Sequence, residues 1–169
     1  MSSASEASDT MVVVLPVRGL ETARCVDARL MDVTDVGALV GLWFTAYPDD
    51  VTAASTQDDE VADWQATFDG QYGQLIPEAC IVAVAGAKII GAVATVLDAP
   101  WDKTPPGPFI IELFVHPAWR RQRIAEELML QALAALHTAG YSSAGLRVDV
   151  GNEPARRLYK KLGFVDWWC

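Results

Sequence analysis

Residues 79–97, ACIVAVAGAKIIGAVATVL, constrain the fold more than any other stretch: nineteen residues in which Lys88 is the single charge. The length is about that of a membrane span. A lysine at the centre of a membrane helix costs roughly 2.5 to 3.5 kcal/mol on insertion scales, however, and Gly86-Ala87-Lys88 separates two runs rich in Val, Ile and Ala. Turn residues between such runs predict a hairpin of two buried strands. A chain of 169 residues built around that hairpin suits one domain, large enough to bury its core without disulfides or structural metal.

Around the hairpin the pattern alternates between strand and helix. VDARLM, from Val26, predicts a short strand. DVTDVGALVGLWFTAY predicts a helix, with Val36, Leu39, Val40 and Trp43 at helical spacing and Thr34 or Asp35 as cap. The acidic PDDVTAASTQDDE reads as a loop leading to a helix that carries Trp64 and Phe68. APWDKTPPGP, after the hairpin, is a proline-rich loop that delivers the chain into the strand FIIELFV. A long helix is expected from Arg120 to His137, stopped by Gly140, followed by a strand GLRVDV. Asn152 and Pro154 mark the start of a last helix with Ala155, Leu158, Tyr159 and Leu162 as its apolar stripe, and FVDWWC is a final strand. The order implies a mixed α/β single domain over residues 25–169. Residues 1–24 form an N-terminal tail with room for a short strand; MSSASEASDT lacks the positive start of a signal peptide, so a cytoplasmic protein is expected. Cys25, Cys80 and Cys169 show no metal-binding or disulfide spacing and are expected to be buried or incidental thiols.

Charge is unevenly divided. The formal net charge is -9, yet residues 1–119 carry -12 and residues 120–169 carry +3. Arg120, Arg121, Arg123, Arg156, Arg157, Lys160 and Lys161 supply over half of all Lys and Arg. Either these are solvated helix faces or they await an anion. The segment VHPAWRRQRIA, between a strand and a helix, favours the anion, because a helix N-terminus offers unpaired N–H groups and the positive end of its dipole. Neither GxxxxGK[ST] nor GxGxxG is present, so this is not a P-loop or a dinucleotide fingerprint. Overall acidity argues against nucleic acid as a partner.

Val115, Pro117 and Arg120 through Ala125 resemble the V-x-P-x-x-R/Q-x-x-G-x-G/A motif of the GNAT superfamily of acyl-CoA-dependent N-acyltransferases. NEPARRLYKKLGF, residues 152–164, resembles the same family's N-x-x-A-x-x-x-Y-x-x-x-G-F. Closely matched sequence covers residues 109–164. The resemblance implies a mostly antiparallel central sheet flanked by helices, acetyl-CoA as cosubstrate without metal, and acetyl transfer to a primary amine of a small molecule or peptide. Within it, Phe114, Val115, Arg120, Arg121, Gln122, Arg123, Ile124, Ala125, Asn152 and Arg156 would bind the cofactor, Glu112 would act as base and Tyr159 would protonate the leaving thiolate. The acceptor is expected to be cationic and the assembly a homodimer, with no nucleic-acid or membrane partner.

Several alternatives stay open at the level of sequence. Arg121 and Arg123 stand where the family has or often has glycine, which either crowds the phosphates or grips them; a non-catalytic acyl-CoA-binding domain is the alternative reading. Cys169 leaves little chain for the family's seventh strand, which is expected to be short, absent or supplied by a partner subunit. Glu112 is a partly buried base or a surface carboxylate on an edge. Tyr159 is a proton donor or a core aromatic, and Asn152 a helix cap, a cofactor ligand or both. His116 and His137 are expected in surface or structural roles, and Trp43, Trp64, Trp101, Trp167 and Trp168 mainly in the core. Asp49, Asp50, Asp58, Asp59 and Glu60 read as a solvated acidic run that would attract a cationic amine.

Overall fold

The computed structural model describes residues 7–19 and 26–168. Cys25, Cys169 and the first six residues of the expected tail lie outside the described residues. The strands are β1 (Ser8–Val14), β2 (Asp27–Leu30), β3 (Gln74–Leu75), β4 (Ile81–Ala85), β5 (Lys88–Leu97), β6 (Pro108–Val115), β7 (Ser143–Asp149) and β8 (Val165–Asp166). The helices are α1 (Val36–Ala46), α2 (Asp49–Thr52), α3 (Gln57–Phe68), α4 (Ile124–Thr138) and α5 (Glu153–Lys161). One sheet runs in the order β2-β4-β5-β6-β7-β1-β8, with β3 also paired to β5. Every pairing is antiparallel except β6 with β7. The expected mixed α/β architecture, a mostly antiparallel sheet flanked by helices, is what the chain forms.

The apolar stretch folds back on itself as a hairpin, β4 pairing with β5 across Gly86, whose φ of 59° is left-handed. Both strands are apolar on both faces because helices cover both sides. On one side Leu128, Met129, Leu133 and Leu136 of α4 pack with Ile81, Val93 and Leu146. On the other, Leu39, Val40 and Leu42 of α1 and Trp64 of α3 pack with Val82, Ala92 and Phe114. Cys80 is buried, and burial pushes its thiol up to about 11, as suits a packed and unreactive cysteine.

Four boundaries differ from expectation, each for a local reason. The long helix begins at Ile124, not Arg120: Arg120 is extended and Arg121 and Arg123 both sit at φ 62°, which no right-handed helix admits. The acidic loop contains the short α2. Cap positions shift too, since Asp32 caps a 3-10 turn ahead of α1 while Asp35 accepts from the Asp32 N–H and from Arg29. The strand GLRVDV starts earlier, at Ser143, because Ser143 and Ala144 pair with β1.

A fifth difference is the largest. The short strand allowed for in residues 1–24 is the seven-residue β1, an interior member of the sheet between β7 and β8. The C-terminal strand is only the two-residue β8, so the long antiparallel neighbour of β7 comes from the N-terminus of the same chain, not from a partner subunit. Met11 is fully buried and Val13 nearly so. Arg156 of α5 holds the strand in place, with an ion pair of 2.7 Å to Asp9 in β1 and one of 3.7 Å to Asp166 in β8. If β1 is a core strand, Met11→Ala destabilises the fold by about 2 to 5 kcal/mol, read by urea denaturation; a change near zero would return residues 8–14 to a tail.

Candidate active site

The site starts where β6 and β7 separate. The two strands are parallel and pair only at Phe109 with Gly145 and Ile110 with Leu146, although β6 continues to Val115 and β7 to Asp149. A bulge sits at this point: Glu112 is opposite Ala94 and Ile110 opposite Thr95, leaving Ile111 without a partner on β5. Bulges bend a strand and re-aim its side chains. Here the consequence is that Ile111 and Glu112 both line one small cavity. Past the bulge, the N–H of His116 donates to the Ile90 carbonyl at 2.8 Å. Polar groups alternate sides along a strand, so those of Phe114 also face β5, while those of Leu113 and Val115 face the opening. Of the two β6 residues expected to bind the cofactor, Val115 therefore has the open-side N–H, and Phe114 is buried against Tyr47 and Trp64.

Glu112 accepts a hydrogen bond of 3.2 Å from the Tyr47 hydroxyl. Burial is the main cause that pushes its carboxyl up to about 7; the Tyr47 bond opposes this, and the charges of Glu60 and Asp63 add to it. Tyr47 is raised well above the usual phenol value, first by burial and then by Glu112. Tyr159 lies buried on α5 with its ring 5.7 Å from that of Phe164, and burial together with the Glu112 charge pushes it up to about 12. Its hydroxyl makes no hydrogen bond among the described residues. The arrangement combines a carboxylate able to take a proton near neutral pH with a phenol that keeps its own.

The arginine segment divides by function. Arg120 does not face an anion: its guanidinium donates to the Ala46 carbonyl at the end of α1 and, at 3.4 Å, to the Val115 carbonyl. Arg156 is committed to the β1 clasp. Arg121 and Gln122 are exposed. Arg123 precedes α4 without capping it and donates to Glu126, which also receives Lys161 at 2.8 Å. The first-turn N–H groups of Ile124, Ala125 and Glu126 thus have no acceptor within the helix and no side-chain cap. The left-handed φ at 121 and 123 is the conformation glycine would adopt there, held at roughly 1 to 2 kcal/mol per arginine. The loop keeps a glycine-type path while adding positive charge. Asn152 caps α5, accepting from the Ala155 N–H at 3.2 Å. His116 accepts from the Ala118 N–H, a structural role, and His137 is exposed in the last turn of α4.

Tyr47, Asp63 and Tyr72 were not singled out from sequence. Tyr47 falls four residues after Trp43 on the expected apolar stripe, but nothing in sequence joins it to a carboxylate 65 positions away. Of the acidic run, Asp59 belongs to a capping box with Thr56, and only Glu60 is buried. Trp64 and Trp101 both line the Glu112 cavity.

The profile of the acetyltransferase (GNAT) family matches residues 42–164. The chain belongs to the GNAT acetyltransferase family. Among its relatives, N-alpha-acetyltransferase 30 of Xenopus laevis is 30% identical over 89 residues, 53% of this chain and 32% of the relative. N-alpha-acetyltransferase MAK3 of Arabidopsis thaliana is 30% identical over 112 residues, 66% of this chain and 58% of the relative. The match thus spans less than two thirds of either relative's length. A GCN5-related N-acetyltransferase from Sphaerobacter thermophilus has a similar fold, with TM-score 0.69 and 21% identity over 95% of this chain and 48% of that one. The aminoglycoside N-acetyltransferase AAC(6')-Iy, solved with CoA, gives TM-score 0.66 and 18% identity over 88% and 93%. Family members transfer acetyl groups from acetyl-CoA, and the parted strands, uncapped helix and left-handed loop suit such a cosubstrate. No group of metal-binding side chains occurs among the described residues.

The Glu112 environment has a consequence for this GNAT domain's stability. Its folded-state value of about 7 lies above the ordinary 4.5, so the native state holds this proton more tightly than the unfolded chain does. That stabilisation is complete below about pH 4.5 and is lost as pH rises through about 7. Glu112→Gln should therefore match the wild type near pH 4.5 and exceed it at pH 8 by on the order of 1 to 3 kcal/mol. Calorimetric Tm at both pH values measures the difference, and an equal gap at the two would contradict the burial argument.

Proposed function

We propose that the protein is an N-acetyltransferase that moves an acetyl group from acetyl-CoA to a primary amine of a small molecule or peptide by direct attack. The observation that carries this is Glu112, a carboxylate raised to about 7 on a bulged strand that opens beside the uncapped α4. Acetyl-CoA supplies a thioester, a carbonyl ready for acyl transfer. Its phosphates would be held by the N–H groups of Ile124, Ala125 and Glu126, with Arg121, Gln122 and Arg123 around them. The open-side groups of Leu113 and Val115 would take its extended arm, and Asn152 would add a hydrogen bond beyond its capping role.

An acceptor amine arrives as an ammonium with pKa of about 10. Glu112 takes its proton, directly or through a water. The amine nitrogen bonds to the carbonyl carbon as the carbon–sulfur bond breaks. Val115 N–H donates to the carbonyl oxygen while negative charge gathers there. Tyr159, which keeps its proton throughout the neutral range, donates it to the leaving thiolate and is restored by the second proton that the nitrogen sheds, through water, as the amide forms. Tyr47 holds one oxygen of the Glu112 carboxylate, which lines the cavity.

This reading includes a cationic acceptor, supported by the excess acidic charge around Glu112, and a cytoplasmic homodimer without nucleic-acid or membrane partners. No helix among the described residues is long and apolar enough to cross a membrane. The second reading, a non-catalytic acyl-CoA-binding domain, draws on Arg121 and Arg123 at left-handed positions; turnover separates the two. Rates with acetyl-CoA and a panel of amines should show kcat/KM rising with pH to a plateau above about 7, with the inflection absent in Glu112→Gln. Glu112→Gln and Tyr159→Phe should each lower kcat by about 100-fold with acetyl-CoA affinity little changed. Unaltered kcat in both would remove the mechanism.

A further inference from the structure

The cavity beside Glu112 holds more negative charge than removing one proton requires. It measures about 80 Å³ and is lined by Glu60, Asp63 and Glu112 together with the rings of Trp64, Tyr72 and Trp101. Glu60, Asp63 and Trp64 are spaced i, i+3 and i+4, which puts them on one face of α3. Glu60 is 7% exposed, and its carboxylate has no hydrogen bond or ion pair among the described residues. Asp63 accepts from the Tyr72 hydroxyl at 2.8 Å, and the Tyr72 ring stacks on Trp101 at 5.9 Å. No lysine, arginine or histidine is among the lining residues.

The Glu60 side chain lines the cavity with its oxygens still open to solvent, and an enclosed carboxylate without a partner favours a cation that arrives to meet it. Aromatic faces around carboxylates are the surroundings that hold an ammonium. We infer that Glu60 and Asp63 bind a second positive charge on the acceptor, so that the substrate is a small dicationic amine with one nitrogen at Glu112 and the other caged by Trp64, Tyr72 and Trp101. The cavity has the volume of about three waters, which suits an aminoalkyl arm. The acceptor part of this inference rests on the acetyl-transfer reading; the cation site does not. Glu60 and Asp63 are specificity groups, and their charge also reaches Glu112, where each raises the carboxyl's affinity for its proton.

Two experiments on the full chain test this. In the first, kcat/KM is compared for 1,4-diaminobutane, 1-aminobutane and a tetrapeptide with a free N-terminus. The diamine should be preferred over the monoamine by about 30-fold or more. Glu60→Gln and Asp63→Asn should each reduce that ratio to near one, whereas Asp58→Asn, exposed on the same helix, should leave it standing. In the second, calorimetry measures 1,4-diaminobutane binding in the absence of acetyl-CoA, and melting curves establish that each variant is folded. Equal use of diamine and monoamine by the wild type, or a ratio unchanged in folded Glu60→Gln, overturns the inference and leaves acetyl transfer intact. Diamine binding lost in Glu60→Gln, with no thiol released from any amine, supports the cation site and overturns acetyl transfer. Neither binding nor turnover would overturn both.

Discussion

The separation of β6 from β7 governs the rest of the molecule. Strands in a sheet interior satisfy their N–H and C=O groups on both neighbours, yet after Ile110 and Leu146 these two pair no further. The groups of Leu113 and Val115 on that side are left for water, for a side chain or for a ligand. Arg120 takes one of them, the Val115 carbonyl, and joins it to the end of α1. The bulge that separates the strands also turns Glu112 toward α1 and α3. Strand geometry and carboxylate placement are thus consequences of one irregularity in β6.

The N-terminal strand supports that opening from the far side. β1 pairs with the whole of β7, and Thr10 donates to the Lys103 carbonyl at 3.0 Å. Arg147 of β7 donates to the Asp102 carbonyl at 2.6 Å. Gly145 lets the proline-rich loop approach closely, since a Cβ there would lie 2.7 Å from Pro105 Cγ. The loop is pinned from two strands, and it carries Trp101 to the cavity. The N-terminal strand therefore acts on the acceptor side as well as on stability.

Much of this was legible in sequence because it depends on local chemistry. The hairpin followed from two apolar runs about a glycine, and the start of α5 from Asn152 and Pro154. Glu112 stood out as the lone carboxylate of FIIELFV, and Tyr159 by its place in the second motif. What sequence hid is long-range. Nothing in MVVVLPV says that residues 8–14 pair with residues 143–149, so Arg156 read as a cofactor ligand when its partners are Asp9 and Asp166. Arg120 misled in the same way, since its acceptor, the Ala46 carbonyl, is 74 positions distant. The arginines at 121 and 123 read as helix and proved to be left-handed loop, because a strong apolar stripe further along masked a backbone that only the tertiary setting selects.

If the parted strands and the N-terminus of α4 form the coenzyme site, then the opening and the arginine loop must bind acetyl-CoA together. Calorimetric titration of the protein with acetyl-CoA at two salt concentrations tests this most directly. Binding near one per chain, weakened by salt and competed by free CoA, is the expected result, because the phosphates meet helix N–H groups and arginines. No heat, and no competition by CoA, would contradict it: the arginines would then serve another anion, and the acetyl-transfer reading would lose its site.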